Sequence, residues 1–255
     1  MSSSASKKEP SPRSPAHLEA DQPVRADWSA YAAAYDLLSD HNPEYQALMQ
    51  GFEDFVTTIE PPSVIYDIGG GTGNYTQIAA KAFPDSEIRL IEPDPEMIRA
   101  AQSKLSAHKN IIYYNLDLQD VSATGAADLV ICVHALYAMP DSARRLHDLR
   151  RILRPGGYLY LIDLGRHMDV ADWRSYLFTE LKRKHGLIGA LKIFWQGRQV
   201  AKQNKAIYEA QMKGSYWTHT EEEIASAVTA AEFDIIRQEA VYRDQSDLLV
   251  CRAKV

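Results

Sequence analysis

Apolar residues in this chain follow two alternating rhythms. From residue 64 to 162, short apolar runs recur at Val64–Ile68, Ile88–Ile91, Ile111–Tyr114, Asp128–Val133 and Tyr158–Ile162. Runs this short and this continuously apolar predict parallel strands covered on both faces. Between them, apolar positions return at helical spacing. Thr72–Phe83 and Ser142–Leu153 are the clearest such stretches, the second with Leu146, Leu149, Ile152 and Leu153 on one side. Arg154-Pro-Gly-Gly157 is a helix stop and turn that delivers the fifth strand. Near the C-terminus, Thr220-Glu-Glu-Glu223 is a capping box opening a helix through about Ala231. Phe233–Val241 and Leu248–Ala253 then predict two final strands. Strands alternating with helices define an open parallel sheet.

Two segments stand outside that alternation. Ahead of the first strand, Trp28, Tyr31, Tyr35, Leu37 and Leu38 give a helical stripe. After His41-Asn42-Pro43, the set Tyr45, Leu48, Met49, Phe52, Phe55 and Val56 gives a second helix, and Pro61-Pro62 stops it. The other segment is an insertion, Arg166–Trp217. Trp173, Tyr176, Leu177 and Leu181 share one helical face there, and Leu187, Ile188, Leu191, Phe194 and Trp195 another, with Gly186 and Gly189 loosening the join. A third helix is predicted over Gln199–Met212 with Ile207 and Tyr208 inward. Residues 1–25 are Ser, Pro, Lys and Glu with little to bury, the signature of a disordered tail. The expected plan is a tail (1–25), an N-terminal helical cover (26–62), a core (63–165 with 218–255) and a helical cap (166–217) over the carboxyl edge of the sheet.

Composition narrows the classes. A chain of 255 residues holds one well-cored domain with an elaboration, or two small domains. Its net charge of -6 argues against whole-surface attraction to nucleic acid. Cys132 and Cys251 lie inside apolar runs and read as buried thiols of a reducing compartment. No run reaches membrane-spanning length and no hydrophobic signal core begins the chain, so stable membrane insertion is not expected and a cytoplasmic protein is the default. No His, Cys or Glu cluster suggests a catalytic metal. The insertion is basic: Arg174, Lys182, Arg183, Lys184, Lys192, Arg198, Lys202, Lys205 and Lys213 stand against Asp172, Glu180 and Glu209. Apolar residues backed by cations suit an acceptor with a carboxylate or phosphate, a solvated face or a membrane surface.

The candidate chemistry centres on Val64–Thr76. An apolar strand ends at Asp67 and breaks into glycines at 69, 70, 71 and 73, giving Asp-x-Gly-x-Gly-x-Gly. Glycine lets a backbone approach a nucleotide-like ligand closely. The dinucleotide fingerprint needs glycine at position 74, where Asn74 stands, and a P-loop lysine is missing. Glu92 ends the second strand 21 positions after Gly71. An acid there can accept both hydroxyls of a ribose. His134-Ala-Leu-Tyr137 follows the fourth strand, on the ligand side of such a sheet.

Asp-x-Gly-x-Gly-x-Gly resembles the first motif of class I S-adenosylmethionine-dependent methyltransferases. Glu92, Asp117 after the third strand, and Leu-Arg-Pro-Gly-Gly157 match three further stations in the same order. The resemblance covers roughly Asp27–Val255, interrupted by the insertion. It implies an α/β, Rossmann-like open, mostly parallel seven-stranded sheet with helices on both faces and a helical cap inserted after strand five. It also implies S-adenosyl-L-methionine as cofactor and S-adenosyl-L-homocysteine as product. In that family Asp67, Gly69, Gly71 and Gly73 would hold the methionyl part and Glu92 with Pro93 the ribose. Met97 would lie against the adenine, with Asp117 (or Asp120) and Leu118 reading its edge. Val133 and His134, at the end of the fourth strand, would also contact the cofactor. Tyr35, in Tyr31-x-x-x-Tyr35-Asp36, would lie across the cofactor.

Methyl transfer needs an aligned nucleophile and, for some acceptors, a base. His134 is the first choice. His167 and Asp163 also stand near this edge, with Tyr137, His219 and Tyr31 behind them; His134, Tyr137 and His167 form the candidate catalytic set. The fourth strand does not end in the Asn/Asp-Pro-Pro-Tyr used on exocyclic base amines. A small organic acceptor, methylated on O or N before C, is therefore expected. Two alternatives remain open at this point: an NAD(P)-dependent reductase, disfavoured by Asn74 and the long preface, and a non-catalytic regulatory protein that binds the cofactor or its product. Oligomeric state is not readable.

Overall fold

The computed structural model describes residues 25–255; the expected tail, apart from Arg25, and the side chains of Ala33 and Leu38 lie outside the described residues. Seven strands, β1 (Val64–Ile68), β2 (Glu87–Ile91), β3 (Ile111–Tyr114), β4 (Ala127–Val133), β5 (Leu153–Leu164), β6 (Phe233–Val241) and β7 (Ser246–Ala253), make one sheet in the order β3-β2-β1-β4-β5-β7-β6. The first five run parallel, and β7 lies antiparallel between β5 and β6. The alternation predicts the parallel strands, and the whole is the Rossmann-like, mostly parallel sheet that the resemblance implies. Strand order reverses between β1 and β4, so a crevice opens at their carboxyl ends.

Eight α-helices accompany the sheet among the described residues: α1 (Trp28–His41), α2 (Pro43–Val56), α3 (Asn74–Ala82), α4 (Pro95–Lys104), α5 (Ser142–Ile152), α6 (Val170–Gln196), α7 (Arg198–Met212) and α8 (Glu221–Ala230). Local chemistry sets their starts. Asn42 accepts the Glu44 and Tyr45 amides ahead of α2, and Asp94 does the same for Glu96 and Met97 ahead of α4. Thr220 and Glu223 form the predicted capping box of α8. One core lies on the α2, α3 and α4 side of the sheet and a second under α5 and α8. Both faces of the parallel strands are covered, as their continuous apolar runs require.

Four details differ from the sequence expectation. The third helix begins at Asn74, because Gly73 has a left-handed backbone (φ 82°). The fifth strand begins at Leu153, which pairs with Ala127; a register shift before Tyr158 absorbs the Pro-Gly-Gly turn inside the strand. Helix α2 is not part of a cover over the crevice. Its Phe52 and Phe55 rings pack on Tyr160 at 4.8 and 5.0 Å, on the face of the sheet, and α1 alone lies across the opening. Finally, α6 is broken at Gly186 (φ 71°, ψ 175°), a conformation essentially confined to glycine. Past that break Leu187, Ile188, Leu191 and Trp195 are exposed, while Phe194, predicted on the same face, packs against Phe178 at 5.4 Å.

The inserted helices lie against α1 from outside. Gln203 of α7 accepts the Asp27 amide at 2.9 Å, and Asn204 bonds the Tyr31 hydroxyl at 3.1 Å. Ile207 is buried as expected, while Tyr208 is half-buried. Among the described residues, no helix is long and apolar enough to cross a membrane.

Candidate active site

The backbone after β1 is pinned before any side chain is considered. The Gly69 amide donates to the Ile91 carbonyl at 2.8 Å, and the Gly73 amide closes back on Gly70 at 2.8 Å. Gly69 and Gly71 both have positive φ, 66° and 55°. A Cβ at Gly69 would lie 2.4 Å from the Ala135 Cβ, so the turn is wedged against the segment after β4. At Gly71 a Cβ would meet nothing nearer than 4.0 Å, and that open side faces a cavity.

This cavity, of 290 Å³, lies at the switch point of the sheet. Gly69 and Gly71 line one part of it, Glu92 and Pro93 another, and Met97, Asp117 and Leu118 a third. Tyr35 and His134 also reach it. The Glu92 carboxylate accepts the Gly71 amide at 3.0 Å and the Asp94 amide at 2.9 Å. Burial pushes its pKa up to about 7, against the pull of those two amides.

Other predicted residues lie elsewhere. Asp67 is buried, accepts the Thr76 hydroxyl at 2.5 Å and does not line the cavity; burial raises it to about 6. It therefore ties β1 to α3. Gly73 and Val133 pack behind the lining: a Cβ on Gly73 would strike Leu105 at 2.6 Å, and Val133 is a buried residue of the sheet core. Asp120 is exposed and off the cavity.

The candidate bases separate in the same way. His134 adopts φ 49°, its Nε2 is 2.9 Å from the Ser246 hydroxyl, and burial lowers its pKa to about 4. It lines the cavity as a neutral, weakly basic imidazole. Tyr137 is buried beside the cavity with its ring edge on Tyr216 at 5.4 Å, and burial holds its phenol protonated. His167 lies apart from the others, exposed on a cleft between α6 and α7. Asp163 and His219 are fully buried partners in a structural cluster: His219 Nε2 lies 3.2 Å from Asp163 and Nδ1 3.3 Å from Asp247. The second Asp163 oxygen accepts the Tyr137 amide at 3.0 Å. None of the candidate bases in the cavity wall is a strong proton acceptor.

Sequence reasoning passed over several wall residues, Trp28, Gln119, Met139, Arg145 and Tyr216. Arg145 is the most informative. It is buried, donates to Gln119 at 3.2 Å, and its Nε has no hydrogen-bond partner in the protein. Its position one residue before Leu146, at the border of the apolar face of α5, was the available signal. Tyr216 lies at the end of the insertion, past its last helix, and carries no pattern of its own.

The lid over this cavity is latched by charge. Asp36 of α1 accepts the Thr72 hydroxyl and the Lys104 ammonium, each at 2.6 Å, and Lys104 also donates to Asn74 at 2.7 Å. One cation of α4 thus joins α1 to the turn after β1. Ser29 reinforces the contact by donating to Asp94 at 2.6 Å.

A turn with an open glycine face, a carboxylate bonded to that glycine, and an acid with apolar walls beyond it thus meet on one cavity of an α/β domain. Residues 65–157 match the family model of the methyltransferase domain. The matched stretch contains the glycine turn, Glu92 and Asp117, the stations on which the resemblance to class I S-adenosylmethionine-dependent methyltransferases rests. It is 31% identical over 132 residues to a trans-aconitate 2-methyltransferase of Methylobacterium radiotolerans, covering 48% of each chain. Malonyl-[acyl-carrier protein] O-methyltransferase 1 of Ilyobacter polytropus is 26% identical over 161 residues, 62% of this chain and 59% of that one. The chain thus spans about half the length of these curated relatives. The fold is shared with the N-methyltransferase NodS from Bradyrhizobium japonicum, solved with S-adenosyl-L-homocysteine, at a TM-score of 0.60 and 15% identity over 89% of this chain and 99% of that one.

Proposed function

We propose that this chain is an S-adenosylmethionine-dependent methyltransferase acting on an oxygen of a small organic acid. The observation that carries the first half is the grouping of the Gly71 backbone, the Glu92 carboxylate and Asp117 on one cavity at the switch point. That grouping fits the cofactor part by part. Gly69 and Gly71 let the methionyl end approach, Glu92 accepts the ribose hydroxyls, and Met97, Asp117 and Leu118 take the adenine. When bound, the cofactor supplies a methyl group on an already activated sulfonium. The residues then have to align the acceptor and keep out water.

The acceptor side is a second cavity, of 390 Å³, between α1, α6 and α7. Its wall is apolar through Leu37, Trp173, Leu177, Leu181 and Ile193, and it carries Arg174 and Arg198. Tyr31 and Tyr35, edge to face at 5.2 Å, stand between the two spaces: Tyr35 lines the first, and Tyr31 is bonded to Asn204 of the second. This tyrosine pair is the gate through which the acceptor meets the methyl group. On this reading 166–217 is an acceptor-binding cap on the 63–165 and 218–255 core.

The character of the nearby groups selects the acceptor atom. His134 is a weak base whose Nε2 is occupied by Ser246, and the Tyr31, Tyr35 and Tyr137 phenols are held protonated by burial. A carboxylate is already anionic and needs no proton removed, whereas an ammonium or a hydroxyl does. Arg174 and Arg198 are suited to hold it. The names of two relatives, an aconitate and a malonyl methyltransferase, support an organic acid.

The test is transfer of a labelled methyl group to a panel of carboxylic acids with apolar chains, amines and phenols. A base-labile methyl ester formed from the acids supports the reading. Transfer to amines alone sinks the acid assignment. Tight cofactor binding without turnover on any of the three classes would instead favour the regulatory alternative.

A further inference from the structure

The outer face of the inserted helix α6 has no role in either cavity. Beyond the break at Gly186, Leu187, Ile188, Leu191 and Trp195 are 53%, 85%, 54% and 68% exposed. Their spacing of three and four residues puts them on one stripe. The inner side of the same segment is apolar too: Ala190 is buried, and Ile193 and Phe194 line the acceptor-side cavity. A helix that is apolar on both sides is one whose outer side is also covered in use.

Charge identifies what covers it. Residues 180–205 carry seven Lys and Arg and a single acid, Glu180, in a chain whose net charge is -6. Glu180 is paired with Arg183 at 2.7 Å. Lys184 and Lys192 flank the stripe in sequence and are exposed, and the Arg198 guanidinium lies 4.5 Å from the centre of the Trp195 ring. Two copies meeting stripe to stripe would bring cation against cation. The N-terminal residues are no better matched, since Lys7, Lys8 and Arg13 are offset by Glu9, Glu19 and Asp21, and Leu18 and Val24 offer little apolar surface. An apolar stripe with a tryptophan at its end and cations at its margins matches the boundary of a lipid bilayer with anionic headgroups.

We propose that Leu187–Trp195 is a peripheral docking face for anionic membranes, with the apolar stripe entering the headgroup boundary and Lys184 and Lys192 meeting lipid phosphates. It does not depend on the acceptor assignment. Binding of this kind is reversible and weakens with added salt.

The experiment uses the full chain and sedimentation with phosphatidylcholine vesicles, with and without phosphatidylglycerol. Binding is expected with the anionic vesicles and lost at high salt. Leu187→Ser with Ile188→Ser, and separately Lys184→Glu with Lys192→Glu, should each weaken it by roughly tenfold or more. Cofactor binding by calorimetry should stay at the wild-type value in both, which shows that the fold persists. A blue shift of tryptophan emission on anionic vesicles, absent in Trp195→Phe, would place the stripe itself at the lipid. No vesicle binding, equal binding to neutral vesicles, or a wild-type dimer in sedimentation velocity that Ile188→Ser dissociates would overturn the proposal.

Discussion

The Glu92 carboxylate holds the Gly71 amide at 3.0 Å across 21 residues of sequence, joining the ends of the first two strands. Its second oxygen holds the Asp94 amide at 2.9 Å, so the side chain is fixed before any ligand arrives. Burial has raised this carboxyl to about 7, and accepting two ribose hydroxyls calls for the ionised form. Cofactor binding should therefore weaken as pH falls below 7, by up to about tenfold per pH unit. Glu92→Gln should bind more weakly at pH 8 and lose most of that dependence. Calorimetry of both proteins from pH 6 to 8 measures it, and a flat wild-type profile would remove Glu92 from the sugar site.

The latch between Asp36 and Lys104 gives a kinetic expectation. The pair is partly buried, with 20% of the lysine side chain and 43% of the aspartate exposed, and the Thr72 hydroxyl joins both partners, donating to Asp36 and accepting from Lys104. Such a pair is worth on the order of 1 kcal/mol, more where it is hydrogen-bonded on several sides. Lys104→Met should leave the melting temperature within a few degrees while speeding cofactor release about fivefold. Stopped-flow displacement reads that rate directly. An unchanged rate would mean that α1 stays closed without the latch.

Gly69 and Gly71 should fail in different ways. A methyl at Gly69 lands 2.4 Å from Ala135, where it has to displace the segment after β4, so Gly69→Ala should cost on the order of 2–3 kcal/mol of stability. Gly71 has open space and positive φ, so Gly71→Ala should cost only about 1 kcal/mol. Gly71→Arg should keep the fold and abolish cofactor binding, because its side chain enters the cavity. Thermal melts alongside calorimetry separate the two behaviours.

What the sequence disclosed follows from what short-range patterns encode. Apolar runs reported the five parallel strands because a strand covered on both faces has no polar positions to spare. The spacing of Glu92 from Gly71 was legible because a strand–turn–helix–strand unit has a nearly fixed length. Side-chain direction was not. Asp67 sits one strand residue from the turn, yet its carboxylate turns to Thr76, and nothing in a one-dimensional pattern fixes that rotamer. The stripe at Leu187 shows the same limit on a larger scale. Periodicity marks a face to be covered without saying by what, and the backbone of Gly186 turned that face outward. Arg145, buried in the cavity wall, was hidden by the habit of reading arginine on an amphipathic helix as solvated.

His134 is placed for chemistry and poorly equipped for proton transfer. With burial holding it at about 4, kcat should show no inflection from this group between pH 5 and 8. His134→Asn tolerates the left-handed backbone and keeps a polar group toward Ser246. It should therefore retain turnover within about threefold, since an acid acceptor needs no base. A fall of a hundredfold or more with unchanged cofactor affinity would restore His134 as the base and redirect the acceptor assignment toward a hydroxyl or an amine.

The cluster behind the site sets the alkaline limit of the fold. His219 lies between the Asp163 and Asp247 carboxylates at 3.2 and 3.3 Å, and Arg166 pairs with Asp247 from the far side. Burial alone would lower the imidazole, but bonds to the two carboxylates raise it to about 9, so the folded protein holds it as a cation near neutral pH. The unfolded chain has the ordinary value near 6.5. A folded-state pKa above the unfolded one means that the stabilisation is complete below about pH 6.5 and is lost as pH rises through 9. The urea midpoint should therefore fall between pH 7 and 10. His219→Gln, which leaves buried carboxylates short of a cation, should cost on the order of 3 kcal/mol at pH 7 and flatten that decline. Because Asp163 also holds the Tyr137 amide at 3.0 Å, the variant should loosen the wall beside His134, with weaker cofactor binding than stability alone accounts for. Equilibrium unfolding across this pH range, with calorimetry on the folded protein, tests both parts; a variant as stable as wild type at pH 7 would show that the cluster is not the pin between β5 and β7 that its geometry describes.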